Sequence, residues 1–215
     1  MKTEPATIYK MTIEKEMEYR GTPVLHYKIE YPKFHDPSGQ LELEPINEWY
    51  RKQAAALQKK YETETYEEAV EHLKSSRKNH FPFHVFEAFS VYEVPYNKRD
   101  LMSLYYDHYT YTGGAHGNTV RVSDTWNMKN GTRINLYQFT TDPVRFTREI
   151  LQEIDKQIEH KMETGEGGYF NDYLKLTAQY FDPDHFYLRP EGIAIFYQQY
   201  EIAPYASGIP EFVIS

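Results

Sequence analysis

Apolar and charged side chains alternate with period two near the start of this chain, and few folds accommodate that pattern. Residues 9–19 carry it, and residues 25–31 repeat it after Gly21-Thr22-Pro23. Such alternation is typical of a half-buried antiparallel strand, with one face on a core and the other in water. The two segments therefore predict a β-hairpin. Its apolar positions are Tyr9, Met11, Ile13, Met17 and Tyr19 in the first strand and Leu25, Tyr27, Ile29 and Tyr31 in the second.

Four helices are predicted downstream of the hairpin. Pro45 suits the first turn of a helix, and an apolar stripe runs from Ile46 to Tyr61. Residues 65–68, Thr-Tyr-Glu-Glu, have the spacing of a capping box and predict that a second helix begins there. Asp142-Pro143 predicts the start of a third helix and Gly165 its end. The inward side chains would be Phe146, Ile150, Leu151, Ile154, Ile158 and Met162 in the third helix and Phe170, Tyr173, Leu174, Thr177 and Phe181 in a short fourth helix ending at Asp182-Pro183.

The remaining segments favour strands. Three of them, residues 83–94, 101–111 and 120–128, are rich in aromatic and β-branched side chains. Asn130-Gly131 is a strong hairpin signal, because a type I′ turn needs two residues with positive φ, and it predicts a partner strand at Ile134-Asn135-Leu136. Residues 193–202 are apolar on both faces, as expected of a central strand.

This order of elements indicates the α+β class, with a curved antiparallel β-sheet and helices packed on one face. A chain of 215 residues suits one large domain or two small parts that share a core. We expect residues 1–95 to form a hairpin with helices and residues 96–215 to form a sheet with helices, packed as one unit.

Charge and cysteine content exclude several function classes. The chain has 24 Lys and Arg against 32 Asp and Glu, a formal charge of −8 at pH 7. This balance argues against nucleic acid as a partner, which requires a basic face, and favours encounter with a basic protein. There is no Cys, which excludes disulfides, thiolate metal sites and cysteine nucleophiles.

Membrane association is not indicated by the sequence. Residues 1–5 have no apolar segment of the kind found in signal peptides, and no run approaches the roughly 18 to 20 apolar residues that span a bilayer. We expect no direct membrane insertion. The sequence leaves the compartment open, and a native Met1 would favour the cytoplasm.

No catalytic or metal-binding pattern stands out. Zinc needs three or four convergent ligands, and no HExxH or comparable spacing is present. Ser103, Ser123 and Ser207 lie outside any nucleophile motif. His116, beside the Gly113-Gly114 turn, could be a structural turn residue, a partner contact or part of a metal or catalytic site. We expect no catalytic residues, no metal and no cofactor.

Two loops on either side of the short fourth helix mix aromatic and acidic residues, as binding surfaces for cationic partners do. The alternative is that the aromatic rings are core anchors and Asp182 is an ordinary helix cap. The candidate partner-binding residues are Tyr169 and Phe170 in the first loop and Asp182, Asp184, His185, Phe186 and Tyr187 in the second.

Two further segments combine aromatic residues with glycine and proline. They are Tyr109-Thr-Tyr-Thr-Gly-Gly-Ala-His-Gly117 and Tyr200-Glu-Ile-Ala-Pro-Tyr-Ala-Ser-Gly-Ile-Pro-Glu-Phe212. With the Asn130-Gly131 hairpin, they make residues 96–215 resemble the bacterial DUF3298 family. Residues 1–95 look like the DUF4163 domain that usually precedes it. The motif residues that we interpret as architectural are Tyr111, Gly113, Gly114, His116, Gly117, Pro204, Tyr205 and Gly208.

The resemblance implies an extracytoplasmic domain, found in lysozyme-sensing anti-sigma factors such as RsiV and attached to some peptidoglycan deacetylases. It implies a non-catalytic binding or sensing module of the cell envelope, with lysozyme or another basic wall-active protein as its partner. Two alternatives remain open: an accessory module that binds peptidoglycan or another glycan, and a hydrolase acting through His116 and a nearby carboxylate.

Overall fold

The computed structural model describes residues 5–98 and 100–215. It confirms the predicted α+β class, with open sheets and helices. Six strands form one sheet in the order β1-β2-β3-β4-β5-β6, and three form a small second sheet in the order β7-β8-β9. The strands are β1 (Thr7–Tyr19), β2 (Thr22–His35), β3 (Phe86–Lys98), β4 (Leu101–Tyr111), β5 (Asn118–Asn127), β6 (Thr132–Arg133), β7 (Phe186–Arg189), β8 (Gly192–Phe196) and β9 (Glu211–Ile214). The helices are α1 (Glu44–Lys60), α2 (Tyr66–Asn79), α3 (Pro143–Thr164) and α4 (Tyr173–Tyr180).

The predicted hairpin is confirmed, but the next strand pair is parallel. β1 and β2 are antiparallel neighbours, with Ile13 opposite Ile29, and Arg20 and Gly21 both have positive φ in the turn. β2 and β3 run parallel, with Leu25 beside Phe86. The helical connection through α1 and α2 explains this, because a long crossover returns the chain to the same end of the sheet.

The chain forms two compact units, and neither is a continuous stretch. Among the described residues, the N-terminal unit comprises 5–92 and 106–120, and the C-terminal unit comprises 93–105 and 121–215. β3, β4 and β5 each contribute residues to both units.

Helices α1 and α2 cover one face of β2 in the N-terminal unit. Tyr27, Ala54 and Ala69 are buried together there, and Ile13 and Met17 of β1 pack against this core. Tyr9 and Met11 of β1 were also expected to face inward, but they are 52% and 37% exposed. The difference arises because β1 lies at the edge of the sheet, where fewer neighbouring residues cover the start of the strand.

The predicted capping box is wrong. Thr65 has helical backbone angles, and its side chain accepts no capping hydrogen bond. A π-helical turn at Tyr61–Thr65 joins α1 directly to α2, so the chain does not leave the helix between them. The extra residue of such a turn inserts without breaking the helix, and sequence spacing alone does not reveal it. α2 ends at Asn79, and the C-cap residue His80 has φ of 58°.

Helix α3 and the small sheet form the core of the C-terminal unit. Ile150, Ile154 and Ile158 are fully buried, as predicted, and Asp142 caps α3 by accepting from the Arg145 N–H at 3.1 Å. Met162 and Leu174 were expected to be inward but are 43% and 55% exposed. Each lies near a helix end, where the apolar stripe extends beyond the core.

Three strand predictions in this unit need correction. The strand after Asn130-Gly131 is only Thr132–Arg133, and Leu136 lies in a 3₁₀ turn at Leu136–Phe139. The central strand ends at Phe196, well before residue 202. Phe186–Arg189, expected to begin in a loop, is strand β7. Leu136, Tyr197 and Ile202 are buried as expected, but in turns and loops rather than in strands, whereas Tyr200 is 51% exposed.

Candidate functional site

The Gly-Gly segment of the N-terminal unit is a tightly packed turn. Gly113 has φ of 87°, and a side chain there would approach the His72 ring, whose Cε1 would lie 3.0 Å from the added Cβ. His116 is exposed, and its Nδ1 lies 2.9 Å from the Gly117 carbonyl oxygen. This contact to the backbone fits a structural role for His116 within the turn. Tyr111 packs beside His84, with 6.4 Å between ring centroids.

The second histidine near this turn is in a different environment. His108 stacks on Tyr106 with 5.6 Å between centroids. Burial lowers the pKa of His108, which favours the neutral imidazole. No group of three His, Asp or Glu side chains converges to hold a metal ion in the part of the chain that the structure describes.

The segment from Tyr200 to Phe212 forms an ordered turn in the C-terminal unit. Ile202 and Ala203 are buried, and Tyr205–Ser207 makes a 3₁₀ turn after Pro204. Gly208 follows with φ of 68° and ψ of −139°, a region that essentially only glycine occupies. The turn is therefore set by residue type at Gly208, as the sequence suggested.

Glu211, at the end of this turn, is the centre of a polar network. Its carboxylate accepts hydrogen bonds from Tyr187 Oη and Arg189 Nη1, and from Arg121 Nη1 at 3.2 Å. The Arg121 guanidinium also lies 3.9 Å above the Tyr105 ring. Burial and the hydrogen bond to Glu211 raise the pKa of Tyr187, so this hydroxyl donates to the carboxylate. These contacts connect the start of β9 to β5 and β7.

A groove of about 880 Å³ lies between two of the segments identified from sequence. One wall is the loop from Gly165 to Tyr169, and the other runs from Pro204 to Glu211. Ser207 Oγ donates to the Gly168 carbonyl at 2.9 Å, which ties the two walls together. Lys161 and Glu166 bring opposite charges to the lining. The size is typical of a site for a small ligand or a protruding side chain.

The predicted binding residues of the first loop lie in or next to this groove. Tyr169 lines it, half-buried, with its ring 6.3 Å from Phe212. Burial raises the pKa of Tyr169, so its hydroxyl stays protonated at neutral pH. Phe170 is half-buried, and its N–H donates to the Ile202 carbonyl at 3.0 Å. This bond joins the loop to the Tyr200 segment.

The second predicted loop lines a different cleft. Asp184, His185 and Phe186 border a space of about 380 Å³ together with residues of β5, and this cleft shares no lining residue with the groove. Phe186 and Tyr187 are buried at 4% and 2% exposure, so they are core anchors, and a partner could not reach their rings. Their burial follows from the strand β7, which sequence reasoning missed. The two loops therefore line different cavities.

The polar residues of the second loop remain accessible. Asp184 is exposed, Asp182 is about half exposed, and His185 stacks on Phe196 with 4.8 Å between centroids. The side chain of Asp182 accepts from the Asp184 N–H at 2.8 Å. This contact stabilises the turn before β7 and is not a helix cap, since the next element after α4 is a strand.

Tyr200 was not among the predicted binding residues, although it shares the motif with Pro204 and Tyr205. Its ring is 51% exposed and 5.8 Å from the Tyr205 ring, and its backbone has φ of 68°. A bulky residue in this left-handed conformation costs free energy, and such outliers concentrate at functional sites. The sequence signal for this site was an aromatic residue in a turn segment, at a position where glycine would adopt the left-handed backbone conformation at a lower free-energy cost.

Glu201, beside Tyr200, is held in place by the backbone. Its Oε2 accepts from the Gln198 N–H at 2.6 Å. Burial raises the pKa of Glu201, and the neighbouring His185 opposes that change. The carboxylate is therefore a partly buried acid next to the exposed Tyr200.

The sequence matches two families in separate segments. Residues 139–215 match DUF3298, a protein family of unknown function, and residues 19–119 match a family described as Deacetylase PdaC. The protein resembles two solved structures. A DUF3298 member from Bacteroides fragilis has a TM-score of 0.70 and 20% identity, covering 100% of this chain and 92% of its own. A DUF3298 protein from Pseudomonas aeruginosa has a TM-score of 0.63 and 18% identity, covering 99% and 91%.

At these identities the two structures establish the fold alone. No functionally curated protein matches the sequence. No helix among residues 5–98 and 100–215 is long and apolar enough to cross a membrane. The turn around Gly208 and the groove it borders lie in the segment that matches DUF3298, so the chain contains a DUF3298-family domain at residues 139–215 and a PdaC-family segment at residues 19–119.

Proposed function

We propose that this chain is a non-catalytic binding module of the bacterial cell envelope, and that the groove of the C-terminal unit binds lysozyme or another basic wall-active protein. The observation that carries the proposal is the exposed Tyr200 in a left-handed backbone conformation, beside the groove-lining segment. Bulky residues in this conformation are concentrated at functional sites, which supports a binding role for the Tyr200 ring.

The neighbourhood of Tyr200 has the features of a protein-binding surface. The exposed Tyr200 ring and the partly exposed Tyr205 ring form an aromatic pair, and aromatic rings are frequent anchors of protein interfaces. Glu201 and Glu166 supply carboxylates near the pair and in the groove. With a net charge of −8, the chain would attract a basic partner and speed its encounter.

The groove is also pre-organised. Gly208 and the hydrogen bond from Ser207 to Gly168 hold its walls before any partner arrives. A surface that is already ordered loses little conformational entropy on binding, which favours affinity.

Calorimetric titration with lysozyme at low and moderate salt tests the proposal. We expect binding that weakens with salt. Tyr200→Ala should weaken it about tenfold or more, as an interface anchor does. The matched control is Tyr180→Ala, since Tyr180 is an exposed tyrosine of the same unit and lies outside the groove lining. No binding at either salt concentration, or equal binding by both variants, would contradict the proposal.

A glycan is the second candidate ligand of the same groove. The Ser207 hydroxyl, the Tyr169 ring and the backbone of the Gly165–Gly168 loop could hydrogen-bond and stack on a sugar, and the PdaC description names a deacetylase. Sedimentation of the protein with purified cell wall, competed by muropeptide fragments, separates the two. Wall binding that fragments abolish, without lysozyme binding, would favour the glycan.

A further inference from the structure

Strand β1 is an edge of the six-stranded sheet, and in the described part of the chain β2 is its one neighbour. Its register with β2 is regular from Thr7 to Met17, and the irregularity lies between Met17 and Glu18. The far end of the edge is covered, since Tyr66 Oη of α2 donates to the Glu18 carbonyl at 3.0 Å. Residues 7–17 contain no proline, and a long regular edge of this kind presents a row of backbone N–H and C=O groups to another strand.

Apolar side chains near the start of β1 are left uncovered. The odd-numbered residues of β1 share the face that α1 and α2 cover, since Ile13 and Met17 pack against the core there. Tyr9 and Met11 lie on the same face but are 52% and 37% exposed. Met11 also borders a cleft of about 290 Å³, which Tyr31 of β2 and residues of α1 line. A strand added beside β1 would therefore bury apolar surface as well as pair backbone groups.

We infer that β1 pairs with β1 of a second copy of this chain, in an antiparallel register with Thr12 facing Thr12 on a two-fold axis. In a two-fold contact the same surface is used twice, so a pair formed once is formed again across the axis. Continuing the sheet requires facing residues to lie on the same face, so both must be odd-numbered or both even-numbered. Thr12 is the middle of the regular stretch from Thr7 to Met17, and this register therefore pairs the whole stretch.

The side chains of β1 are complementary to themselves in this register. The facing pairs are Thr7 with Met17, Ile8 with Glu16, Tyr9 with Lys15, Lys10 with Glu14, Met11 with Ile13 and Thr12 with Thr12. Opposite charges and apolar side chains thus face each other, and no like charges do, which stabilises neighbouring strands. A register centred on Met11 would lose the Lys10–Glu14 pair, and one centred on Lys10 would place two ammonium groups opposite each other.

The charged groups of this pairing are available to a second copy. Lys10 and Glu14 contact Glu30 and His26 within the chain at 2.7 and 3.0 Å, yet their side chains are 58% and 50% exposed. An ammonium group has three N–H donors, and the His26 contact uses Oε1 of Glu14, so each group can take a further partner. Lysine on an edge strand opposes unselective pairing. A second copy supplies Glu14 opposite Lys10, which favours it over an arbitrary strand.

The contact should be weak and reversible. An interface made by one pair of strands belongs at the small end of protein interfaces, below about 1,200 Å². We therefore expect a dimer whose dissociation constant lies in the micromolar range. The pairing uses the N-terminal unit alone and does not depend on the function proposed for the groove of the C-terminal unit.

Sedimentation velocity of the full chain over a concentration series tests the pairing. Glu14→Lys places ammonium groups opposite each other at two points of the interface, so it should raise the dissociation constant at least about tenfold. Lys10→Glu should do the same with carboxylates. An equimolar mixture of the two variants should dimerise again, because each lysine then faces a carboxylate. Glu68→Lys, at an exposed position of α2, is the matched control and should dimerise like the wild type.

A disulfide test reads the register directly, because the chain has no cysteine of its own. Thr12→Cys puts two thiols opposite each other, with Cα atoms about 4.5 or 5.5 Å apart, and a disulfide spans either distance. Mild oxidation should therefore link the copies into covalent dimers. Glu16→Cys is the control on the same strand and face. Glu16 faces the partner's Ile8, so its two thiols would lie about 27 Å apart and should stay unlinked.

Three results would overturn the inference. The first is a wild-type chain that stays monomeric at every concentration, which would leave the edge to an extended segment of a different protein. The second is a dimer that Glu14→Lys does not weaken, which would place the interface elsewhere. The third is equal linking of the Thr12→Cys and Glu16→Cys variants, which would exclude this register. Thr12, Glu14 and Glu16 are all exposed, so these substitutions leave the core intact.

Discussion

The ring of Tyr109 occupies the position that a side chain on Gly117 would fill, with only 2.2 Å from the would-be Cβ to Tyr109 Cε2. The glycine is therefore required by the close approach of the Tyr109 ring and not by its own backbone angles. The exposed neighbour Gly114 differs, since a Cβ there would meet its nearest atom, the His116 carbonyl oxygen, at 3.9 Å. Two glycines of one motif thus have different roles.

Gly117→Ala should destabilise the protein by about 1–3 kcal/mol, because the added methyl group must displace the Tyr109 ring. Gly114→Ala should change the free energy of unfolding by less than about 0.5 kcal/mol, as expected for an exposed site with room. Urea unfolding of both variants measures the difference. Similar losses in the two would show that the ring does not lie where the structure places it.

Glu211→Gln should lower the free energy of unfolding by about 2 kcal/mol. The Glu211 carboxylate receives charge-assisted hydrogen bonds from two arginines, and its side chain is only 21% exposed. The exposed pair Arg145–Glu149 supplies the control. Glu149→Gln should lower the free energy of unfolding by less than about 0.5 kcal/mol, as for most surface ion pairs. Chemical unfolding at neutral pH measures both, and equal costs would contradict a central role for Glu211.

Gly208→Ala should destabilise by about 1–3 kcal/mol through backbone strain alone, because the Cβ would meet no atom within 4 Å while φ is 68°. Gly168→Ala, in the opposite wall of the groove, should be nearly neutral, since its nearest contacts would be ordinary ones at 3.8 Å. Thermal unfolding measures both. A neutral Gly208→Ala would mean that the turn relaxes easily and that the groove is less pre-organised than proposed.

The pH dependence of stability should reveal the raised pKa of Glu201. Burial raises its pKa in the folded protein above the unfolded value of about 4.3. The folded state then holds a proton that the unfolded state releases, so this group's contribution is fully present below the unfolded pKa and is lost as pH rises through the folded pKa.

In Glu201→Gln, the amide oxygen can still accept from the Gln198 N–H, and this pH-dependent loss should disappear. We therefore expect the variant to gain stability relative to wild type as pH rises from 4 to 7. Unfolding measured in matched buffers across that range gives the difference. A difference that is constant with pH would show that the Glu201 pKa is not raised.

Local patterns were enough to predict most elements and the β1–β2 hairpin, but not the pairing of strands that are distant in the chain. The alternation on β1 and β2, the turn at Gly21 and the cap at Asp142 each depend on neighbouring residues, and the structure confirms them. The parallel β2–β3 pair and the π-helical turn before Tyr66 involve residues that local spacing does not relate.

The candidate sites also combine features that the sequence predicted with features that only the tertiary structure decided. Glycine and proline positions indicated ordered turns from sequence alone, because only certain residues adopt the φ of 68° and 87° found at Gly208 and Gly113. The burial of Phe186 and Tyr187, the exposure of Tyr200 and the placement of Tyr109 on Gly117 were decided by the tertiary structure. Whether an aromatic residue anchors a core or faces a partner depends on what packs against it, and residues distant in the chain supply that packing.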